Sequence, residues 1–377
     1  MQRNSYPPPM IVTSPDTTTH TIICLHGLGS NGEVFGNELL GSASLSKRLP
    51  TVKFVFPTAS KRRSTIFKKK LINQWYDSYS FQDPNRRLDL QIRGLSESAR
   101  FVRGLIMQEA ELLGDDGYDR IILWGLSQGC AMGIFSVLGG FLDYMDCGIQ
   151  RIGAFIGMSG WLPFELELRE GLEEGPRGKF RGIDNESLSG TEVELGSDWS
   201  SEESDENEEI SAFSSDSSEE SEGEEGSNVS VHSDPETGCP YLDGDFGPDF
   251  DLHSEIKALK ELTISDDNPS QFAGTYRAVN QIRDILDLPD LKEEKCQKEG
   301  RPNNLQHLET PLFIGHGLDD QIISVELGRK MFQVLTDGFN MKVTWNEYPG
   351  LGHWYRVKDE IEDLLYFLHE NLGIRVD

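Results

Sequence analysis

Apolar and polar positions along the chain fall into two repeating patterns. Residues 20–27 (HTIICLHG), 52–57 (VKFVFP), 121–126 (IILWGL), 151–160 (RIGAFIGMSG) and 312–315 (LFIG) are almost continuously apolar and run into glycine or proline. Strands buried on both faces of a parallel sheet have this pattern. Residues 341–348 (MKVTWNEY) alternate instead and predict a last strand. Between such runs Ile92, Leu95, Ala99, Val102, Ile106, Ala110 and Leu113 recur in steps of three and four, which makes one face of a long amphipathic helix. The connection 114–117 (GDDG) joins that helix to the run at 121, so strand, helix and strand form a unit whose crossover should be right-handed. A C-terminal helix extends through Leu372. The alternation predicts an α/β fold, a mostly parallel central sheet flanked by helices.

The alternation is interrupted once. Residues 182–256 hold 24 Asp and Glu and no Lys or Arg, mixed with Ser and Gly and few aliphatic residues. Such a stretch cannot bury enough apolar surface to offset the entropy of ordering it, which predicts disorder. Ser201, Ser204, Ser218 and Ser221 each precede an acidic residue, a context suited to acid-directed kinases. Helical periodicity returns at Phe272, Tyr276, Val279, Ile282, Ile285 and Leu286, predicting a helix over 271–288. The organisation is therefore a flexible N-terminus over 1–17 and the first part of an α/β domain over 18–165. An acidic, largely disordered insertion containing that helix then occupies 166–307, and the second part of the domain runs over 308–377.

Charge and cysteine usage narrow the function. The insertion carries most of the formal charge of −29 and leaves −5 on the rest, a balance that argues against nucleic-acid partners. The run 61–70 (KRRSTIFKKK) places six cations in ten residues. It reads first as a solvated loop; a nuclear-localisation signal, transient contact with a membrane surface and a counter-ion for the insertion are the other readings. Cys24, Cys130, Cys147, Cys239 and Cys296 contain no Cys-x-x-Cys pair, so neither a disulfide framework nor a zinc site is expected. Residues 1–15 are polar and Pro-rich without a signal core, and nothing later reaches the about 18 apolar residues of a membrane span. A soluble, cytoplasmic protein is expected, with access to the nucleus left open by the basic run.

The chemistry centres on Gly125-Leu126-Ser127-Gln128-Gly129, placed between an apolar run and the small-residue stretch Cys130, Ala131, Met132. Strand, sharp turn and helix in that order make the nucleophile elbow of an α/β-hydrolase, with Ser127 at the apex and glycine two positions away on each side where a Cβ has no room. A glycine-rich turn without chemistry would carry the same five residues; the flanks favour the elbow. The hydrolase order is serine, acid, histidine. Only His353 and His369 follow the carboxylates Asp319 and Asp320. His369 lies inside the C-terminal helix, whereas His353 sits in a glycine-rich loop directly after a strand, so His353 is the candidate base and both carboxylates stand as the acid. His26 and His316 precede glycine at strand ends and read as core or hinge histidines. A serine hydroxyl needs a base to remove its proton, an acid to orient the imidazole, and two N–H donors for the developing oxyanion. The backbone N–H groups of Leu28 and Gln128 are the candidate donors.

Taken together, Leu25-His26-Gly27-Leu28-Gly29, Trp75-Tyr76-Asp77, Gly125-Leu126-Ser127-Gln128-Gly129, Ser159-Gly160-Trp161-Leu162-Pro163, Gly315-His316-Gly317-Leu318-Asp319-Asp320 and Gly350-Leu351-Gly352-His353 resemble the acyl-protein thioesterase family of phospholipase/carboxylesterase hydrolases, in the family's order. The resemblance covers about 18–165 and 308–373. It implies that Asp320 rather than Asp319 is the acid, by the family's His-Gly-x-x-Asp spacing, with Ser127 and His353 in the matching positions. It also implies hydrolysis of thioesters on S-acylated proteins, or of lysophospholipid and simple carboxylic esters, without metal or cofactor. The chain departs from the family in its long acidic insertion, in Gln321 where proline usually follows the acid, in Cys130 where glycine is usual, and in bulky Trp354 and Tyr355 after His353. None of these removes a catalytic group; bulk beside the histidine bears on the size of the acyl group. The alternatives are a broad carboxylesterase or lysophospholipase and, in another class, an idle hydrolase domain used as a scaffold through its acidic insertion. The oligomeric state is not legible.

Overall fold

The computed structural model describes residues 6–142, 149–173, 271–294, 301–355 and 358–377. The acidic stretch expected to be disordered and its four serines lie outside the described residues.

Strands β1 (Met10–Val12), β2 (His20–Leu25), β3 (Val52–Phe56), β6 (Ile121–Leu126), β9 (Ala154–Met158), β10 (Leu312–Gly317) and β11 (Val343–Tyr348) form one sheet in the order β1-β3-β2-β6-β9-β10-β11. All pairings are parallel except that of β1 with β3. Two small antiparallel pairs stand apart from it, β4 (Lys61–Ser64) with β5 (Lys70–Asn73) and β7 (Phe141–Leu142) with β8 (Ile149–Gln150). The helices are α1 (Gly32–Ala43), α2 (Leu45–Arg48), α3 (Asp89–Leu113), α4 (Gln128–Gly139), α5 (Glu165–Glu173), α6 (Ala273–Ile285), α7 (Val325–Gln333) and α8 (Glu360–Leu372). Among the described residues, no helix is long and apolar enough to cross a membrane.

The continuous apolar runs become central strands because both faces of the sheet are covered. Alternate residues of one strand serve different cores: Ile23, Leu25, Ile121 and Leu123 pack under α3, α4 and α6, whereas Ile22, Cys24, Ile122 and Trp124 pack under α1 and α8. Helix α4, which follows the elbow, is buried along its whole length, in keeping with a sequence whose side chains are apolar or small apart from Gln128. The amphipathic α3 buries Leu95, Ala99, Val102, Ile106 and Ala110, as its periodicity requires. Ile92, placed on the same face by spacing, is exposed instead; the first turn turns inward through Gln91, whose Nε2 donates to Pro84 O at 2.6 Å.

Three sequence expectations change. Residues 1–17 are not uniformly flexible, because Met10, Ile11 and Val12 pair with Phe56, Val55 and Phe54 as an antiparallel edge strand. Three residues are too few to show a period in sequence, and an edge position tolerates the prolines at 7–9. The basic run is a hairpin rather than a loop. Lys61 and Arg63 face water while Arg62 turns inward to Glu97 at 2.6 Å and Ser64 is buried, a strand alternation written in charged residues. Finally, parts of the described residues within 166–307 belong to the core. Leu168 and Leu172 of α5, Tyr276, Val279 and Ile282 of α6, and Leu286 and Leu305 are all buried in the α3/α4 core, as is Leu308 just beyond the span.

Candidate active site

The elbow is shaped by close backbone approaches. Ser127 follows β6 and precedes α4 with φ +54°, a strained conformation for a non-glycine residue, and its N–H donates to Met158 O at 2.9 Å. A Cβ on Gly125 would fall on the backbone of Gly129, and one on Gly129 would fall on Leu25 O, so the pentad needs both glycines. Cys130, where glycine is usual in the resembling family, finds room because Gly157 and Gly160 lie against its sulfur. Burial pushes its thiol well above the ordinary range, which leaves it a packing group.

His353 reaches this serine from the loop after β11. Its Nε2 lies 2.9 Å from Ser127 Oγ and its Nδ1 2.7 Å from Asp320 Oδ2. With the Nδ1 proton directed at the carboxylate, the Nε2 lone pair is left to accept from the serine hydroxyl. Asp320 is buried in the loop after β10, and its Oδ1 accepts the N–H groups of Ile322 and Ile323, both at 2.9 Å. Burial alone would raise this carboxyl, but hydrogen bonds from His316, His353 and the Ile323 N–H outweigh it and hold Asp320 well below the usual carboxylate range. Asp319 is exposed; its N–H, not its carboxylate, joins the neighbouring loop by donating to Leu351 O at 3.0 Å. The two loops touch so closely that a Cβ on Gly317 would stand 2.6 Å from Gly352 O. Tyr355 ties the histidine loop to α1 through a 2.7 Å hydrogen bond between its hydroxyl and Ser42 Oγ, and its ring stacks on half-exposed Trp354.

The turn 27–30 is held beside the serine. A Cβ on Gly27 would sit 3.5 Å from Ser127 Cβ, Ser30 N–H donates to Gly27 O at 3.3 Å, and Gly29 takes φ +80°. Gly29 N–H donates to Asn73 O at 2.9 Å, so the base of the basic hairpin buttresses this turn. No acceptor within the described residues takes the N–H of Leu28 or of Gln128. His26 is a fixed, neutral support: Nδ1–H donates to Gly27 O at 2.6 Å and Nε2 accepts the Ala59 N–H at 3.0 Å. Burial lowers His26 to about 4 despite the bond to Gly27.

Two side chains make contacts that the sequence reading did not assign to them. The side chain of Gln128 accepts the Trp75 N–H at 2.9 Å and donates to Tyr76 O at 2.8 Å, clasping the 74–77 loop onto the elbow. The Trp75 indole in turn donates to His26 O at 2.8 Å. His316, read from sequence as a core or hinge residue, lies 3.4 Å through Nε2 from Asp320 Oδ2.

Comparison with known proteins bears on residues 7–177 and on the fold. A family model described as Phospholipase/Carboxylesterase matches residues 7–177. The chain is 32% identical over 164 residues to acyl-protein thioesterase 1 of Yarrowia lipolytica and 31% identical over 163 residues to acyl-protein thioesterase 1 of Schizosaccharomyces pombe. These matches take in 42% and 43% of this chain and 65% of each relative's length. In structure it is similar to Zea mays acyl-protein thioesterase 2, with a TM-score of 0.52 at 18% identity over 97% of this chain and 99% of that one, a likeness of fold. Residues 7–177 are thus similar to the phospholipase/carboxylesterase family, and the described chain has the α/β-hydrolase fold.

Proposed function

We propose that the protein is a serine hydrolase that cleaves acyl thioesters or esters and removes fatty acyl groups from S-acylated proteins in the cytoplasm. The observation that carries this reading is the unbroken hydrogen-bond chain from Ser127 Oγ through His353 to Asp320. His353 Nε2 takes the serine proton as Oγ attacks the acyl carbon, and the charge of Asp320 stabilises the imidazolium that forms. The Leu28 and Gln128 N–H groups receive the carbonyl oxygen as it becomes an oxyanion, donors worth about 10²–10³ in turnover each. His353 then returns its proton to the leaving thiol or alcohol, and a water repeats the sequence on the acyl-serine.

The thioester substrate is favoured by the curated relatives, both of which carry the name acyl-protein thioesterase. The experiment has two arms. A fluorophosphonate probe should label the protein and not its Ser127→Ala variant; absence of labelling would turn the reading toward a scaffold. Turnover on a palmitoyl thioester is then compared with that on a short-chain ester. Preference for the short ester would replace the thioesterase by a broad carboxylesterase.

A further inference from the structure

Beneath the carboxylate of the site lies a second buried histidine that the proposed chemistry does not use. His316 stands on β10 with no solvent exposure, and its Nε2 is 2.9 Å from Ile323 O and 3.4 Å from Asp320 Oδ2. Both neighbours are acceptors, so Nε2 carries a proton. Ile323 returns its own N–H to Asp320 Oδ1, which closes a ring around the acid loop, while Oδ2 takes the Nδ1–H of His353. The other ring nitrogen, His316 Nδ1, faces α7, where a Cβ on Gly328 would stand 2.6 Å away. The remaining charged neighbours are engaged elsewhere. Glu347, the register partner of His316 on β11, accepts from Arg329 Nε and Nη2 at 2.7 Å each and from Trp345 Nε1 at 3.1 Å.

We infer that His316 is a positioning residue for the acid of the site, a neutral ring protonated on Nε2 that tethers the Asp320 loop through Ile323 O and turns the carboxylate toward His353. The inference rests on the Ser127–His353–Asp320 reading. Its two contacts do different things. The 2.9 Å bond fixes the loop, whereas the 3.4 Å approach is long for a hydrogen bond and acts as an oriented dipole on Oδ2. Without that N–H the carboxylate becomes more basic and holds the imidazolium more tightly. His353 then keeps its proton to higher pH, where it cannot serve as a base.

The test uses His316→Gln, whose amide can still donate, and His316→Met, which fills the volume and donates nothing. Both are assayed on a small ester across pH, with active sites counted by the fluorophosphonate probe. For His316→Met, kcat should fall about 10–100-fold with KM nearly unchanged, since a slightly misaimed acid affects the reacting geometry rather than binding. The acid limb of the kcat/KM profile should move to higher pH, and His316→Gln should recover most of both. An unmoved limb in His316→Met, or no recovery by His316→Gln, overturns the inference, since loss of packing alone would lower the count of active sites without moving the limb. Nitrogen-15 resonances of the parent protein decide the matter even if neither variant folds: a neutral Nε2–H tautomer at His316 supports the role, and a charged ring or an Nδ1–H tautomer overturns it. Failure of the hydrolase reading looks different, because then neither the parent nor any variant would react with the probe.

Discussion

Arg277 on α6 donates from Nε to the carbonyl of Gly171 on α5 at 3.2 Å, across 106 positions of sequence. The two helices that flank residues 174–270 therefore lie side by side. Gly274 comes so close to Leu172 O that a Cβ there would stand 2.6 Å from it.

A chain crossing from α5 to α6 thus has little distance to cover, and loop length costs only about 0.6 kcal/mol per doubling. Deleting residues 185–255 should leave soluble protein with unchanged turnover on a small ester. Extending the deletion through residue 310 should abolish folding, because it removes Tyr276, Val279, Ile282, Leu286, Leu305 and Leu308 from the core. Expression, melting temperature and esterase rate check both; an inactive or insoluble 185–255 deletion would show that the acidic segment supplies part of the core or the site.

Ser127→Ala and His353→Ala should each reduce kcat/KM by roughly 10³-fold or more with melting temperature preserved, because the members of such a site act as a unit. Asp320→Asn should be nearly as severe and Asp319→Asn mild, since only Asp320 meets His353. The reverse order for the two aspartates would place the acid one residue away from the present assignment.

Acid should destabilise the fold at a pH well above that of carboxylate titration. Burial lowers His20 and His26 to about 4 and His307 to about 3, against an ordinary value of 6.5. Between those limits the unfolded chain binds protons that the folded chain refuses, so stability is complete above pH 6.5 and falls as pH drops toward 4 and then 3. Melting temperature measured from pH 8 to 4 should be flat at first and then decline. His307 Nε2 donates to Leu138 O at 3.1 Å, near the end of α4. His307→Gln can keep that bond without titrating, and should make the decline shallower; an equally steep curve would remove His307 from the account.

How much was legible in sequence follows from where each signal resides. Strands β2, β6, β9 and β10 announced themselves because burial on both faces demands apolar residues at every position, and Ser127 because its elbow demands two glycines at fixed spacing. His353 followed from chain order. What was hidden depends on contacts between distant segments. The hairpin β4–β5 is made of charges that are paired or solvated, as Arg62 with Glu97, so hydrophobic periodicity was silent there. Leu305, His307 and Leu308 lie in a 3₁₀ segment too short to repeat. His316 precedes a glycine at a strand end just as His26 does, yet His26 props a turn and His316 meets the acid, a difference that only the fold creates.

Gln128 offers the last test, because its backbone and side chain perform separable tasks. The backbone N–H, the proposed oxyanion donor, does not depend on the side chain, while the buried amide holds Trp75 N–H at 2.9 Å and Tyr76 O at 2.8 Å. Gln128→Met keeps the length and apolar volume and strands both loop groups without a partner. An unpaired buried backbone group costs about 1–3 kcal/mol, so the melting temperature should fall by roughly 5–15 °C. Turnover per probe-labelled site should fall about tenfold, because the loosened 74–77 loop also carries the Trp75 indole that steadies His26 O at 2.8 Å, at the entrance to the Leu28 turn. Gln128→Glu should be worse than Gln128→Met at neutral pH, since its carboxylate meets Tyr76 O as acceptor against acceptor in a buried position. A Gln128→Met protein with the parent's melting temperature and rate would show that the clasp contributes nothing and that the loop is held from elsewhere.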